Sequence, residues 1–242
     1  MIGPLDHLRV VLVETRNPLN IGAVARVMSN FGARHLRVVN PYEVAFREAR
    51  SAMGGARLLQ SAEVYKSLAD AIADCGLVVG TTAVGHRELQ HPIRRLEEGA
   101  RLIRKRMGAH PVALLFGSEK FGLSNRDLSH CQWLMRIPTR EQHASMNLAQ
   151  AVAVCAYELV RQRRAVPKSE KKIPTPAGKL DRITDQLFAA LSESGYVKPR
   201  SAAATEEKVR RMVRRLRLDP KDAEMWLGML RQISWKLGQS RN

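Results

Sequence analysis

Three short segments concentrate the residue types that handle protons, anions or nucleotides. The first is N-P-L-N-I-G-A-V-A-R, from Asn17 to Arg26. It follows an apolar run, so Asn20 and Gly22 are expected to form a strand-to-helix turn. Arg26, six residues after Asn20, then stands about one and a half turns into the helix. An arginine there offers a permanent charge for an anion or, in the plainer reading, a solvated surface charge. The second segment is F-G-S-E-K-F-G-L-S-N, from Phe116 to Asn125. Gly117 lets backbone approach a ligand, and Glu119 places a carboxylate just past a strand end, as a functional group or as a solvated turn residue. The third is R-I-P-T-R-E-Q-H-A-S-M-N-L-A-Q-A-V, from Arg136 to Val152. A loop from Pro138 to Met146 runs into an apolar helix, so Ser145 and Asn147 fall at a helix start, where capping is their ordinary role. His143 beside Ser145 raises hydrolytic chemistry, but no G-x-S-x-G elbow and no suitably placed Asp accompany the pair.

Other chemistries are disfavoured. The stretch G-T-T-A-V-G, Gly80 to Gly85, has the spacing of the two phosphate-loop glycines, yet His86-Arg87 stands where Lys-Ser/Thr is required. No G-x-G-x-x-G follows the first strand, which argues against a conventional dinucleotide fold. Cys75, Cys131 and Cys155 are far apart and show no C-x-x-C pairing. Neither a metal site nor a disulfide framework is expected, and a reducing cytoplasm is the plain inference.

The elements that must position these segments are legible as apolar runs. Leu8–Glu14, His35–Asn40, Leu77–Thr81, Val112–Phe116 and Leu134–Ile137 read as buried strands, rich in Val, Leu and Ile and without polar alternation. Helices are expected at Ile21–Phe31, Ser67–Asp74, Arg95–Met107 and Asn147–Arg163. Alternating strands and helices predict an α/β domain with a parallel sheet and ligand sites at the carboxyl ends of its strands. Residues 164–178, with three prolines, read as a linker. Beyond it, Leu180–Ser194, Thr205–Leu216 and a third segment after Pro220 look helical, with Asp219 as an N-cap. Val209, Met212, Val213 and Leu216 mark one apolar face, and Ala223, Trp226, Leu227, Leu230, Ile233 and Leu237 another. The Met and Trp residues of this tail are read as core.

The 242 residues carry 40 Lys+Arg against 23 Asp+Glu, a formal net charge of +17. Residues 1–160 contribute +6, and residues 161–242 contribute +11. So basic a tail on a positive domain points to a polyanion, most often nucleic acid. No apolar run approaches the roughly 20 residues needed to cross a bilayer, and the start passes directly from a polar turn into a strand, so neither a membrane partner nor a signal peptide is expected.

Taken in order, the three segments resemble the SPOUT methyltransferase superfamily, and within it the TrmH-like RNA ribose 2'-O-methyltransferases. The resemblance covers roughly residues 7–163. The basic tail, with N-P-x-N-I-G-A-V-A-R and S-M-N-L-A-Q-A-V, is similar to bacterial members that methylate nucleotide 32 of the tRNA anticodon loop. Shorter members acting on the wobble nucleotide generally lack such a tail. The resemblance implies a methyltransferase domain over residues 1–163 whose carboxyl half forms a deep trefoil knot, with the segment between Phe116 and Asn147 threaded through a loop. It implies a linker at 164–178 and a helical tRNA-binding extension at 179–242. It further implies an S-adenosylmethionine site at Thr81, Thr82, Ala83, Gly117, Ile137, Ala144, Ser145 and Met146, with no metal. The catalytic set it implies is Asn20, Arg26, Glu119, Ser145 and Asn147, in a homodimer whose active site lies at the subunit interface and involves the last domain helix. Roles for Arg140 and His143 do not carry over, because that loop varies. Two other readings remain open at this level: a methyltransferase for another tRNA position or for ribosomal RNA, and a non-catalytic RNA-binding protein.

Overall fold

The computed structural model describes residues 5–42, 56–83, 90–108, 110–161 and 174–239. Its strands are β1 (Leu8–Val13), β2 (His35–Val39), β3 (Glu63–Tyr65), β4 (Leu77–Thr81), β5 (Ile93–Arg95), β6 (Val112–Phe116) and β7 (Trp133–Arg136). All pair in parallel, in the order β3-β2-β1-β6-β4-β7-β5. The domain helices are α1 (Pro18–Phe31), α2 (Ala56–Gln60), α3 (Leu68–Ile72), α4 (Leu96–Met107), α5 (Asn125–Ser129) and α6 (Leu148–Arg161).

The absence of polar alternation in the central strands has a direct cause: both faces of the sheet are covered. Val10, Leu12, Val79, Leu114 and Phe116 enter one core with residues of α1, α4 and α6. Their neighbours Val11, Val13, Val78, Ala113 and Leu115 enter a second core with α3 and α5. The five expected strands are present, with ends shifted by a residue or so. The edge strands β3 and β5 were not foreseen; each is three residues long and has no buried position.

Helix α1 begins earlier than the expected Ile21. Asn17 is its N-cap, its side chain accepting from the Leu19 N–H at 2.9 Å, and Pro18 opens the first turn. Asn20 and Gly22 therefore lie inside the helix and do not form the turn. The turn itself is made upstream, where Glu14 takes a left-handed φ of 53°.

The tail forms α7 (Ala177–Glu193), α8 (Ala202–Arg215) and α9 (Pro220–Gln239) around Leu180, Ile183, Val209, Val213, Ala223, Leu227 and Leu230. Asp219 caps α9, accepting from the N–H groups of Lys221 and Asp222 at 2.8 and 2.9 Å. Positions 164–173 of the expected linker lie outside the described residues, as do positions 162 and 163 of the last domain helix. The expectation that the tail's Met and Trp residues are core holds for Trp226, which packs against this cluster, and needs correction for the others. Met212, Leu216, Met225, Met229, Ile233 and Trp235 are exposed, because three helices of this size enclose only a narrow seam.

The tail is seated on the domain. The N–H groups of Ala177 and Gly178 donate to the carbonyls of Cys75 and Ala73, both at 2.9 Å. A Cβ on Gly178 would lie 3.1 Å from that of Ala73. On the other side, Arg210 donates to the Ser129 hydroxyl at 3.3 Å. Arg214, with no exposed surface, pairs with Asp181 at 2.7 Å. Among the described residues no helix is long and apolar enough to cross a membrane.

Candidate active site

A cavity of about 610 Å³ opens at the carboxyl ends of β4, β6 and β7. This is the edge of a parallel sheet where ligand sites form, and its size is in the range of small-molecule sites. Three loops build its walls. The first follows β4, where the Thr81 hydroxyl donates to the Leu115 carbonyl at 2.8 Å and the Thr82 N–H to that of Met135 at 3.0 Å. The second is the 117–123 loop after β6, closed by a bond from the Gly122 N–H to the Ser118 carbonyl at 2.8 Å. The third leads into α6 and is tied by the Thr139 hydroxyl to the Ala144 carbonyl at 3.2 Å. Phe116, Leu123, Leu128, Met135, Leu148 and Ala151 supply apolar surface.

Gly117 is demanded by the loop itself. A Cβ there would collide with the backbone of Gly122 and Leu123, so the 117–123 segment folds back on itself in a way only glycine permits. This differs from the expected role of simply clearing space for a ligand.

Three of the five polar residues singled out from the sequence form one hydrogen-bonded chain on the rim. Asn147 Nδ2 donates to Asn20 Oδ1 at 2.9 Å, and Asn20 Nδ2 donates to Glu119 Oε1 at 3.0 Å. Glu119 also accepts the backbone N–H groups of Asn17 at 3.2 Å and Arg16 at 3.3 Å. Asn147 caps α6 as well, its Oδ1 accepting from the Ala149 N–H at 2.9 Å. Partial burial pushes the Glu119 carboxyl upward, but the Asn20 amide and the surrounding N–H groups outweigh it and hold the pKa below the ordinary carboxylate value. Glu119 is thus an ionised acceptor that pins the start of α1 to the loop after β6. It is not a proton donor at neutral pH.

Ser145 is exposed and lines the same cavity, two residues before the cap. The eight residues expected at the methyl-donor site, Thr81, Thr82, Ala83, Gly117, Ile137, Ala144, Ser145 and Met146, all line it. Arg26 stands apart. Its side chain is exposed on α1, it is absent from the cavity wall, and it makes no ion pair or hydrogen bond among the described residues. His143 lies in the short Glu141–His143 helical turn and is exposed. Residues 84–89, which include His86 and Arg87, lie outside the described residues. Sequence reasoning missed the backbone of Arg16 and Asn17 as partners of Glu119; the Asn-Pro pair was the available signal for the cap. Cys75, Cys131 and Cys155 are buried free thiols whose pKa values burial pushes up, for Cys75 and Cys155 to about 12. No group of three or more His, Cys, Asp or Glu among the described residues is arranged to hold a metal.

Comparison with known proteins gives the class of protein to which this sheet and its three-loop cavity belong. Residues 7–157 match the model of the SpoU rRNA Methylase family, and the chain belongs to that family, in the SPOUT superfamily. Within it, similarity to TrmJ enzymes runs along nearly the whole length. The chain is 36% identical over 236 residues to the tRNA (cytidine/uridine-2'-O-)-methyltransferase TrmJ of Sodalis glossinidius, covering 95% of this chain and 92% of that protein. The TrmJ of Klebsiella pneumoniae is likewise 36% identical, over 239 residues, at 95% and 97% coverage. Among solved structures, TrmJ from Z. mobilis ZM4 superposes with a TM-score of 0.81 at 29% identity, covering 93% of this chain and 98% of that one.

Proposed function

We propose that this chain is an S-adenosylmethionine-dependent methyltransferase that modifies the ribose 2'-oxygen of nucleotide 32, a cytidine or uridine, in the tRNA anticodon loop. The observation that carries the reading is the Asn147-Asn20-Glu119 chain on the rim of a cavity lined by the eight expected donor-site residues. Family membership and the similarity to TrmJ along the whole chain support it. Coverage favours nucleotide 32 over the wobble position. The solved structure described as concerning 2-OH methylation of C/U34 on tRNA covers only 65% of this chain, with a TM-score of 0.51.

The cavity suits the methyl donor, because its walls are loop backbone and small side chains, which read an adenine through amide donors and acceptors. S-adenosylmethionine supplies an electrophilic methyl group when bound. The chain's own residues must place the 2'-oxygen in line and remove its proton as the new O–C bond forms and the S–C bond breaks. Glu119 and Asn147 hold Asn20, and with it the start of α1, against the donor cavity. The role of Arg26 is to clamp the neighbouring phosphate and stabilise the developing alkoxide with its guanidinium, while the proton leaves through Ser145, the phosphate or water.

The position of Arg26 outside its own cavity supports a homodimer in which it serves the partner's site. Leu19, 78% exposed on α1, and Tyr157, 53% exposed on α6, supply an apolar surface for that contact. The knot implied for the segment from Phe116 to Asn147 is supported by the step from β6 to β7 across the intervening β4.

Transfer of labelled methyl to unmodified tRNA transcripts, followed by nucleoside mapping, tests the reading. A 2'-O-methylated nucleotide 32 is expected. Label on a base, at another position, or only on ribosomal RNA would refute it.

A further inference from the structure

The tip of the 117–123 loop carries two residues that neither the donor site nor the rim chain uses, Lys120 and Phe121. Both line the cavity of about 610 Å³, and both are exposed. The Phe121 side chain is 63% exposed, whereas Phe116 is buried and Phe31 and Phe188 are partly buried. A ring left in water forgoes the gain of burial.

This ring is held out by its loop. Ser118 and Gly122 pair as an antiparallel bridge, and Gly122 takes a left-handed φ of 67°. The Phe121 N–H donates to the Ser118 hydroxyl at 3.4 Å. Glu119 ties the same tip to the start of α1 through Asn17 and Asn20. Phe121 is therefore presented from a fixed backbone, within about 7 Å of chain from the residue that holds Asn20 on the rim. The Lys120 ammonium lies 5.1 Å from the centroid of the ring and makes no ion pair or hydrogen bond among the described residues. The tip thus offers an aromatic surface and a cation side by side. A bare anion uses only the cation, and an apolar side chain uses only the ring. A nucleotide uses both, because its base has a π-face and its phosphate hangs one ribose away.

We propose that Phe121 is the platform on which the base of the reacting nucleotide stacks, with Lys120 on the adjoining phosphate. The proposal rests on RNA being the methyl acceptor and deepens that reading: a ring reads the face of a base and not its edge, so cytidine and uridine are held alike.

The test uses the full chain and methyl transfer to tRNA. Phe121→Leu is expected to raise the KM for tRNA about five- to tenfold, the lower end of the worth of one base–aromatic stack, and Phe121→Trp to keep it within about twofold. The informative substrate is a tRNA with an abasic ribose at nucleotide 32, its 2'-hydroxyl intact. Losing the base should cost the wild type at least as much as Phe121→Leu does, and Phe121→Leu should handle the abasic tRNA no worse than the wild type. Lys120→Ala is expected to lower the salt slope of tRNA binding by about one. An unchanged KM in Phe121→Leu, or the same loss on abasic as on intact tRNA, overturns the proposal. So does S-adenosylmethionine affinity falling in step, which would put the ring in the donor site, or a changed oligomeric state by light scattering, which would make it a subunit contact. An unchanged slope in Lys120→Ala overturns the phosphate contact. A wild-type chain that leaves nucleotide 32 unmethylated overturns the functional reading and the platform with it, whereas transfer to nucleotide 32 that is indifferent to Phe121→Leu overturns only the platform.

Discussion

Replacing Glu119 by Gln removes one charge and turns one acceptor atom into a donor. Oε1 accepts from both Asn17 and Asn20, and Oε2 accepts from Arg16. The Gln amide satisfies the first pair best with its oxygen, so its NH₂ faces the Arg16 N–H and that bond is lost. Hydrogen bonds to a charged group are worth about 1.5–3 kcal/mol and neutral ones about 0.5–1.5. Because this rim is open to solvent, the lower ends apply. One lost bond of about 1.5 kcal/mol and two that each fall from about 1.5 to about 0.5 come to about 3.5 kcal/mol, or a fall in Tm of about 7–14 °C for a chain of this size. The pH dependence makes the test specific. The folded pKa of Glu119 is depressed, so its stabilisation is complete above the unfolded carboxylate value, near 4.5, and is lost as pH falls through the folded value. Urea unfolding should therefore show a constant gap between wild type and Glu119→Gln from pH 7 to about 5, narrowing below that. An equal gap at pH 7 and pH 3, or a variant as stable as wild type, would refute the assignment of Glu119 as an ionised clamp. Methyl transfer should fall in the same variant, because the bond that holds Asn20 is weakened.

Gly117→Ala forces the backbone of Gly122 and Leu123 to move, and is expected to abolish detectable S-adenosylmethionine binding in calorimetry while leaving the sheet's circular dichroism intact. Arg26→Lys separates clamp from base: if Arg26 only holds phosphate, the pH-rate profile keeps its shape at reduced rate, and a restored rate with a new, lower apparent pKa contradicts that role. Deleting residues 164–242 should weaken tRNA binding far more than donor binding. It should also lower domain stability by about 1–3 kcal/mol in urea titrations, because the carbonyls of Ala73 and Cys75 exchange two N–H donors of the tail for water.

The sheet centre was legible because its strands are buried on two faces and must be apolar throughout. The edges were not, since Glu63–Tyr65 and Ile93–Arg95 carry no such pattern. The site motifs were recognisable as groups, but the bond between Glu119 and the Arg16 and Asn17 backbone depends on β1 and β6 lying side by side, with Leu12 opposite Phe116. No local signal contains that adjacency. In the tail, helical periodicity located the helices but not the depth of their burial. Of the arginines around Met212, Arg214 has no exposed surface whereas Arg215 is exposed, and adjacency in sequence gives no means of choosing between them.

The seat of α7 on Ala73 and Cys75 makes the tail a caliper. A tethered arm would raise the local concentration of any nearby RNA, whereas a docked one holds two jaws, the donor cavity and the tail surface, at a separation set by the fold. In the proposed function, selection then acts on the distance between two points of the tRNA as well as on what lies at either point. Lengthening the 162–173 connection is expected to leave that distance alone, whereas a Cβ at Gly178, 3.1 Å from that of Ala73, presses on the seat itself.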